Sequence, residues 1–185
     1  MRGAERIRDP EVRALATVAA TLEPEYVRCE DPWAGSPFAW IRREKSRRVG
    51  KIGEQLVSGF LAARDFDIAR TGDSAADRLV NGHRVEVKFS TLWENGQYKF
   101  QQFRDQDYEL AVCLGVSPFD AHCWVLTKRA LRAHVIGKLG QHGGASARET
   151  AWVAVKPGAA PAWMRNAGGS LRDAVTLLRT LAARG

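Results

Sequence analysis

Asp77, Glu86 and Lys88 are the side chains whose types and spacing could do chemistry together. They lie in the stretch from Asp77 to Lys88, which has Asn81-Gly82 at its centre. Asn-Gly is the strongest short-range signal for a two-residue hairpin turn, because both central residues need positive φ. Such a turn sets Asp77 opposite Glu86, with Cβ atoms about 4.5–5.5 Å apart. Glu86 and Lys88, two apart on a strand, project from one face, while Val85, Val87 and Phe89 project from the other. Two carboxylates at that spacing repel by about 3 kcal/mol at an effective dielectric of about 20, so they call for a proton, a cation or a fold that separates them. A divalent metal answers the demand. The same spacing also fits a surface strand on which Glu86 and Lys88 pair loosely and Asp77 merely precedes a turn. This register puts Arg78 across from Val85 on the apolar face, where a charge is out of place.

The elements that must position these groups lie upstream. Val49 to Leu61 reads as an amphipathic helix carrying Glu54, and Phe66 to Arg70 as a short strand. Helix, strand and hairpin follow in that order. With Glu54 on the helix, Asp77 on the first hairpin strand and Glu86-Val87-Lys88 on the second, the chain resembles the PD-(D/E)xK nuclease superfamily, which includes restriction endonucleases and Holliday-junction resolvases. The resemblance covers about residues 46–130. Ala76 stands where that superfamily often has proline, and Val87 is the usual kind of middle residue. The resemblance implies an α/β, restriction-endonuclease-like core with a mixed central β-sheet flanked by helices. It further implies that Asp77, Glu86 and the Val87 carbonyl hold Mg²⁺, with Mn²⁺ able to substitute. Lys88 would assist the attacking water, and Glu54 would bind a second metal or order its water shell. The activity implied is Mg-dependent cleavage of DNA. Restriction ranks ahead of junction resolution or repair, and a non-cleaving DNA-binding module is the reading of another class.

Composition agrees with a polyanionic partner. The 185 residues carry 28 Lys plus Arg against 21 Asp plus Glu, a net charge of +7, and such an excess favours nucleic acid. Arg42, Arg43, Arg47 and Arg48 cluster just ahead of the Glu54 helix and are candidate phosphate contacts, a solvated helix start being the alternative. Gln101, Gln102 and Arg104 close an aromatic and amide-rich run that suits groove contact, ordinary surface glutamines being the alternative, and His142 sits in a glycine-rich loop able to approach a phosphate, a solvated loop histidine being the alternative. Cys29, Cys113 and Cys123 form no CxxC pair, so neither a zinc ribbon nor a disulfide framework is indicated. No GxxxxGK[ST] loop, signal-peptide pattern or membrane-length apolar run occurs. A cytoplasmic, unexported, DNA-associated protein is expected.

The remaining chain reads as scaffold. A helix is expected over 10–22, an irregular covering segment over 31–40, strands over 108–116 and 121–126, a helix capped by Thr127, and a strand over 152–155. A proline- and glycine-rich link follows over 157–169, then a last helix capped by Ser170 and Asp173. The divisions expected are 1–45 (N-terminal helix and covering segment), 46–156 (core) and 157–185 (link and last helix), all within one structural domain. A homodimer is expected, since cutting both strands of a duplex needs two acid clusters. Leu171, Val175, Leu178 and Leu181 form a stripe that would serve either a dimer or the same subunit's core.

Overall fold

In the computed structural model, residues 7–26, 31–138 and 151–183 are described. The chain divides into two compact units, Met1–Ala34 and Gly35–Gly185. The first contains α1 (Pro10–Tyr26), whose opening N–H groups are capped by Asp9 Oδ1, 2.8 Å from Glu11 N. It runs four residues beyond the expected end. The expected division after residue 45 falls inside the second unit, between a 3-10 turn at Ala39–Arg43 and α2 (Ser46–Ala62).

Asn81 and Gly82 take φ of 48° and 84° and close the hairpin of β2 (Arg78–Val80) and β3 (His83–Thr91). Its register pairs Arg78 with Val85, Leu79 with Arg84 and Val80 with His83, as the Asn-Gly turn requires. β1 (Ile68–Ala69) adds antiparallel to β2. β3 then runs parallel to β5 (Leu110–Val116), which is antiparallel to β6 (Ala121–Thr127). β8 (Gly168–Ser170) closes the far edge, giving a six-stranded mixed sheet in the order β1-β2-β3-β5-β6-β8. Every residue of β5 is buried. A strand covered on both faces reads as an unbroken apolar run rather than an alternation.

On one face, Val112, Leu114, Val116 and Cys123 meet α2 and the last helix, α4 (Leu171–Ala182), through Val57, Leu61, Ala174 and Leu178. The other face carries Ala111, Cys113, Trp124 and Leu126. It is covered by a ribbon of β4 (Tyr98–Phe103) and β7 (Ala151–Val155), and by α3 (Lys128–His134). Thr127 Oγ1 caps α3 by accepting from Ala130 N at 3.2 Å, and Ser170 Oγ caps α4 by accepting from Asp173 N at 3.0 Å. Cys113 and Cys123 are buried free thiols, whereas Cys29 lies outside the described residues.

One expectation needs correction, and one open alternative is resolved. The stretch from Pro157 to Gly169 is more than a link: it forms a 3-10 turn with Met164 fully buried, then enters β8. Gly168 and Gly169 have φ of 110° and 131°, and a Cβ on Gly168 would stand 2.7 Å from the Cys123 carbonyl oxygen, so these two positions of the edge strand favour glycine. Second, the stripe on α4 is used internally. Val175 and Leu178 are buried, Leu171 and Leu181 half-buried, and α4 packs on β6. It therefore serves the same subunit's core, one of the two roles expected of it.

The helix carrying Glu54 is held against β3 by close contact. A Cβ on Gly53 would fall 2.2 Å from Phe89 Cβ, while nothing lies within 4 Å of one on Gly59. Alanine normally stabilises a helix interior by about 0.8–1 kcal/mol over glycine, and overpacking costs about 1–3 kcal/mol. Chemical denaturation should therefore show opposite signs, Gly53→Ala lowering stability and Gly59→Ala raising it by up to about 1 kcal/mol. A Gly53→Ala variant as stable as Gly59→Ala would mean that α2 is not seated this closely on β3.

Candidate active site

The site lies where β2 stops pairing with β3. Asp77 immediately precedes β2; its N–H still donates to the Val85 carbonyl at 3.0 Å, and its Oδ2 accepts from Val87 N–H at 2.8 Å. The Asp77 side chain thus takes the place of the next ladder partner. Backbone groups of residues two apart on a strand face the same edge, so the Val87 carbonyl turns towards this same edge, past the end of the β2 ladder. Glu86 is buried, and Lys88 Nζ donates to its Oε1 at 2.5 Å. Behind them lie the Phe103 ring, 5.7 Å from Lys88 Nζ, and Tyr108.

Burial pushes the Glu86 carboxyl above its ordinary value; Lys88 pulls it down, and the negative charge of Asp77 pushes it up again. Burial and the charge of Glu86 likewise raise the Tyr108 phenol. Both shifts come first from burial, which disfavours the charged form of either group. Among the described residues, no group of three or more His, Cys, Asp and Glu side chains is placed to hold a metal ion. The donor set is two carboxylates and one edge carbonyl, all hard oxygen. That set fits Mg²⁺, which is commonly held by one or two carboxylates and keeps much of its water.

Glu54 is placed differently from the other three. Its Oε2 accepts from Arg78 NH2 at 3.0 Å and Lys51 Nζ at 3.1 Å. Arg78 was the misfit on the apolar face, and the structure supplies its reason. The guanidinium also donates through Nε to Ser58 Oγ at 3.1 Å and through NH1 to the Asp77 carbonyl at 2.5 Å. Arg78 and Ser58 are the neighbours that the motif did not reveal. The available signal was a charge at a buried register position, which demands a partner, together with Glu54 and Ser58 one helical turn apart on the facing helix.

The remaining candidates stand outside the acid cluster. Arg42 and Arg43 end the 3-10 turn, Arg47 and Arg48 lie in the first turn of α2, and all four are exposed. Arg48 pairs with Glu44 at 3.2 Å. Gln101 and Gln102 occupy an irregularity in β4 between Phe100 and Phe103, where Gln102 has a φ of 60°. A bulge there lets both flanking rings point into the core. Gln101 is half-buried, Gln102 and Arg104 exposed. His142 lies outside the described residues.

Among solved structures, the chain resembles a bacterial homing endonuclease, I-Ssp6803I, with a TM-score of 0.50 at 15% identity, over 76% of this chain and 96% of that one. The likeness is one of fold. No protein-family profile and no curated protein matches the sequence. This chain's fold, a mixed six-stranded sheet with flanking helices, is thus similar to that of an endonuclease, and among the described residues no helix is long and apolar enough to cross a membrane.

The raised Glu86 carboxyl has a measurable consequence. A carboxyl that binds its proton more tightly when folded contributes stability below its unfolded value and loses it as pH rises through the raised folded value. Glu86→Gln, which keeps an acceptor for Lys88, should therefore be more stable than the parent in metal-free buffer at about pH 8. The advantage should shrink towards about pH 4, near the ordinary glutamate value. Urea titrations across that range check it; a deficit for Glu86→Gln that persists at high pH would show that the Lys88 pair outweighs burial.

Proposed function

We propose that this protein is a Mg²⁺-dependent endonuclease of the PD-(D/E)xK type that hydrolyses phosphodiester bonds in DNA. The observation that carries the reading is the convergence of Asp77, Glu86, the Val87 edge and Lys88 where β2 leaves β3. Sharing a fold with an endonuclease and carrying a net charge of +7 support nucleic acid as the partner.

Asp77 and Glu86, with the Val87 carbonyl, would hold the ion. When bound, Mg²⁺ would polarise a phosphate oxygen and make water a better nucleophile at neutral pH. Lys88 carries three donors as an ammonium and no acceptor. One is engaged by Glu86, and the others can orient the attacking water and offset charge developing on the phosphate. The water oxygen bonds to phosphorus as one phosphoester bond breaks; water's proton passes to solvent and the leaving oxygen gains one. Glu54 supports the site from α2, at one remove from the phosphate.

Arg42, Arg43, Arg47 and Arg48 are proposed as phosphate contacts, with Gln101, Gln102 and Arg104 as a second contact from the β4 side. Restriction of foreign DNA is the proposed role, because the sequence holds nuclease elements and no ATPase loop. The proposed working form is a cytoplasmic homodimer, one acid cluster serving each strand.

Asp77→Asn, Glu86→Gln and Lys88→Ala should each abolish cleavage while leaving gel-shift affinity for duplex DNA nearly intact. Mixed dimers of active and Lys88→Ala subunits should nick rather than break the duplex. Substantial cleavage by Asp77→Asn would remove the metal site, and DNA binding by the parent without cleavage of plain, branched or modified DNA would make it a binding module. Replacing Arg47 and Arg48 by glutamine should lower affinity for every duplex alike and reduce the slope of log K against log salt by about one to two units. An unchanged slope would assign these arginines to ordinary solvation.

A further inference from the structure

We infer that Arg78 is a positioning residue for this site, a fork that fixes Asp77 against α2, and that Glu54 acts as the counter-charge of that fork rather than as a ligand of the metal. The inference rests on the proposed metal site and assigns its supporting residues.

Each nitrogen of the guanidinium has a different partner. NH2 meets Glu54 Oε2 at 3.0 Å, Nε meets Ser58 Oγ at 3.1 Å, and NH1 meets the Asp77 carbonyl at 2.5 Å. Ser58 Oγ in turn donates to the Glu54 carbonyl at 2.7 Å, so both helix partners belong to one rigid turn of α2. The Arg78 side chain is 15% exposed and that of Glu54 21%. Lysine has the charge but not the planar, three-way geometry that spans helix and strand.

Asp77 needs such a fixture. It lies one residue before β2 begins, after the irregular stretch over 70–76. Its carboxylate is aimed by the bond from Val87 N–H, and its carbonyl by Arg78. Loss of the fork would leave the carboxylate chemically intact and poorly placed, and displacements of about 1 Å are enough to spoil such a site. The Glu54 oxygen that faces Arg78 also receives Lys51. Two cations on one oxygen identify its partners, and neither belongs to the Asp77 and Glu86 pair.

Mn²⁺ titration followed by electron paramagnetic resonance, with cleavage measured on the same full-length preparations, tests this. The parent should bind Mn²⁺ and cut. Arg78→Met should bind Mn²⁺ at least tenfold more weakly and need correspondingly more metal for cleavage, with Glu54→Gln moving both in the same direction by less. The deciding variant is the double Arg78→Met/Glu54→Gln: if Glu54 acts only through Arg78, it should bind Mn²⁺ within about twofold of Arg78→Met alone, as expected for residues that form one unit. Separate losses that multiply would make Glu54 a ligand and overturn the assignment; so would parental Mn²⁺ affinity in Arg78→Met. Should Arg78→Met fail to fold, Arg78→Lys carries the test, since it keeps the charge beside Glu54 but loses the fork. Weakened Mn²⁺ binding with a native melting transition supports positioning, and parental binding refutes it. A parent that neither binds Mn²⁺ nor cuts would instead refute the metal site itself.

Discussion

Burying a carboxylate beside another carboxylate demands positive charge, and the surroundings of β3 are arranged around that demand. Glu86 is flanked in space by Lys88 on its own strand, while Glu54 is answered by Arg78 and Lys51. Asp77 is left with the Val87 N–H as its stabilising contact and, among the described residues, with no ion pair of its own. Lys88 is thus committed to Glu86, and Arg78 and Lys51 to Glu54, so that Asp77 is the acid of this group left without a cation. The proposed divalent cation, held by hard oxygen, would complement that balance.

The placement of Asp77 beside Glu86 could be read in the sequence because it depends on spacing along one hairpin. Asn81-Gly82 dictates the turn, the turn dictates the register, and the register brings Asp77 to Glu86 without help from the rest of the fold. Arg78 was visible as a contradiction, a charge on an apolar face, but its resolution needed the angle at which α2 crosses β3. That angle depends on Gly53 against Phe89, a contact between residues 36 positions apart. No local pattern encodes it.

β8 escaped for the opposite reason. Gly168 and Gly169 have no side chain with which to show alternation; Gly168 is demanded by the nearness of the Cys123 carbonyl and α4, and Gly169 by its φ of 131°. The α4 stripe exposed a different limit: periodicity shows that Val175 and Leu178 must be covered, and says nothing of whether the cover is another chain or β6. Gln101 and Gln102 look like one more polar pair in a strand, yet they sit in an irregularity that exists to keep Phe100 and Phe103 inside.

These separate features meet at β3, whose two faces serve two different layers. Val85, Val87 and Phe89 belong to the helical side, where the Arg78 fork and Glu54 also lie, whereas Glu86 and Lys88 face the β4 and β7 ribbon and the Phe103 ring. A residue on one face cannot touch chemistry on the other except through the strand's edge. Asp77 occupies that edge: its carbonyl is held from the helical side by Arg78 and its carboxylate reaches Val87 N–H beside Glu86. The helix acid can therefore influence the acid pair by moving the backbone of one residue. In this fold the distance between a structural ion pair and the proposed metal site is a single peptide unit, which is why a guanidinium fork, rather than a longer carboxylate, is the device that joins them.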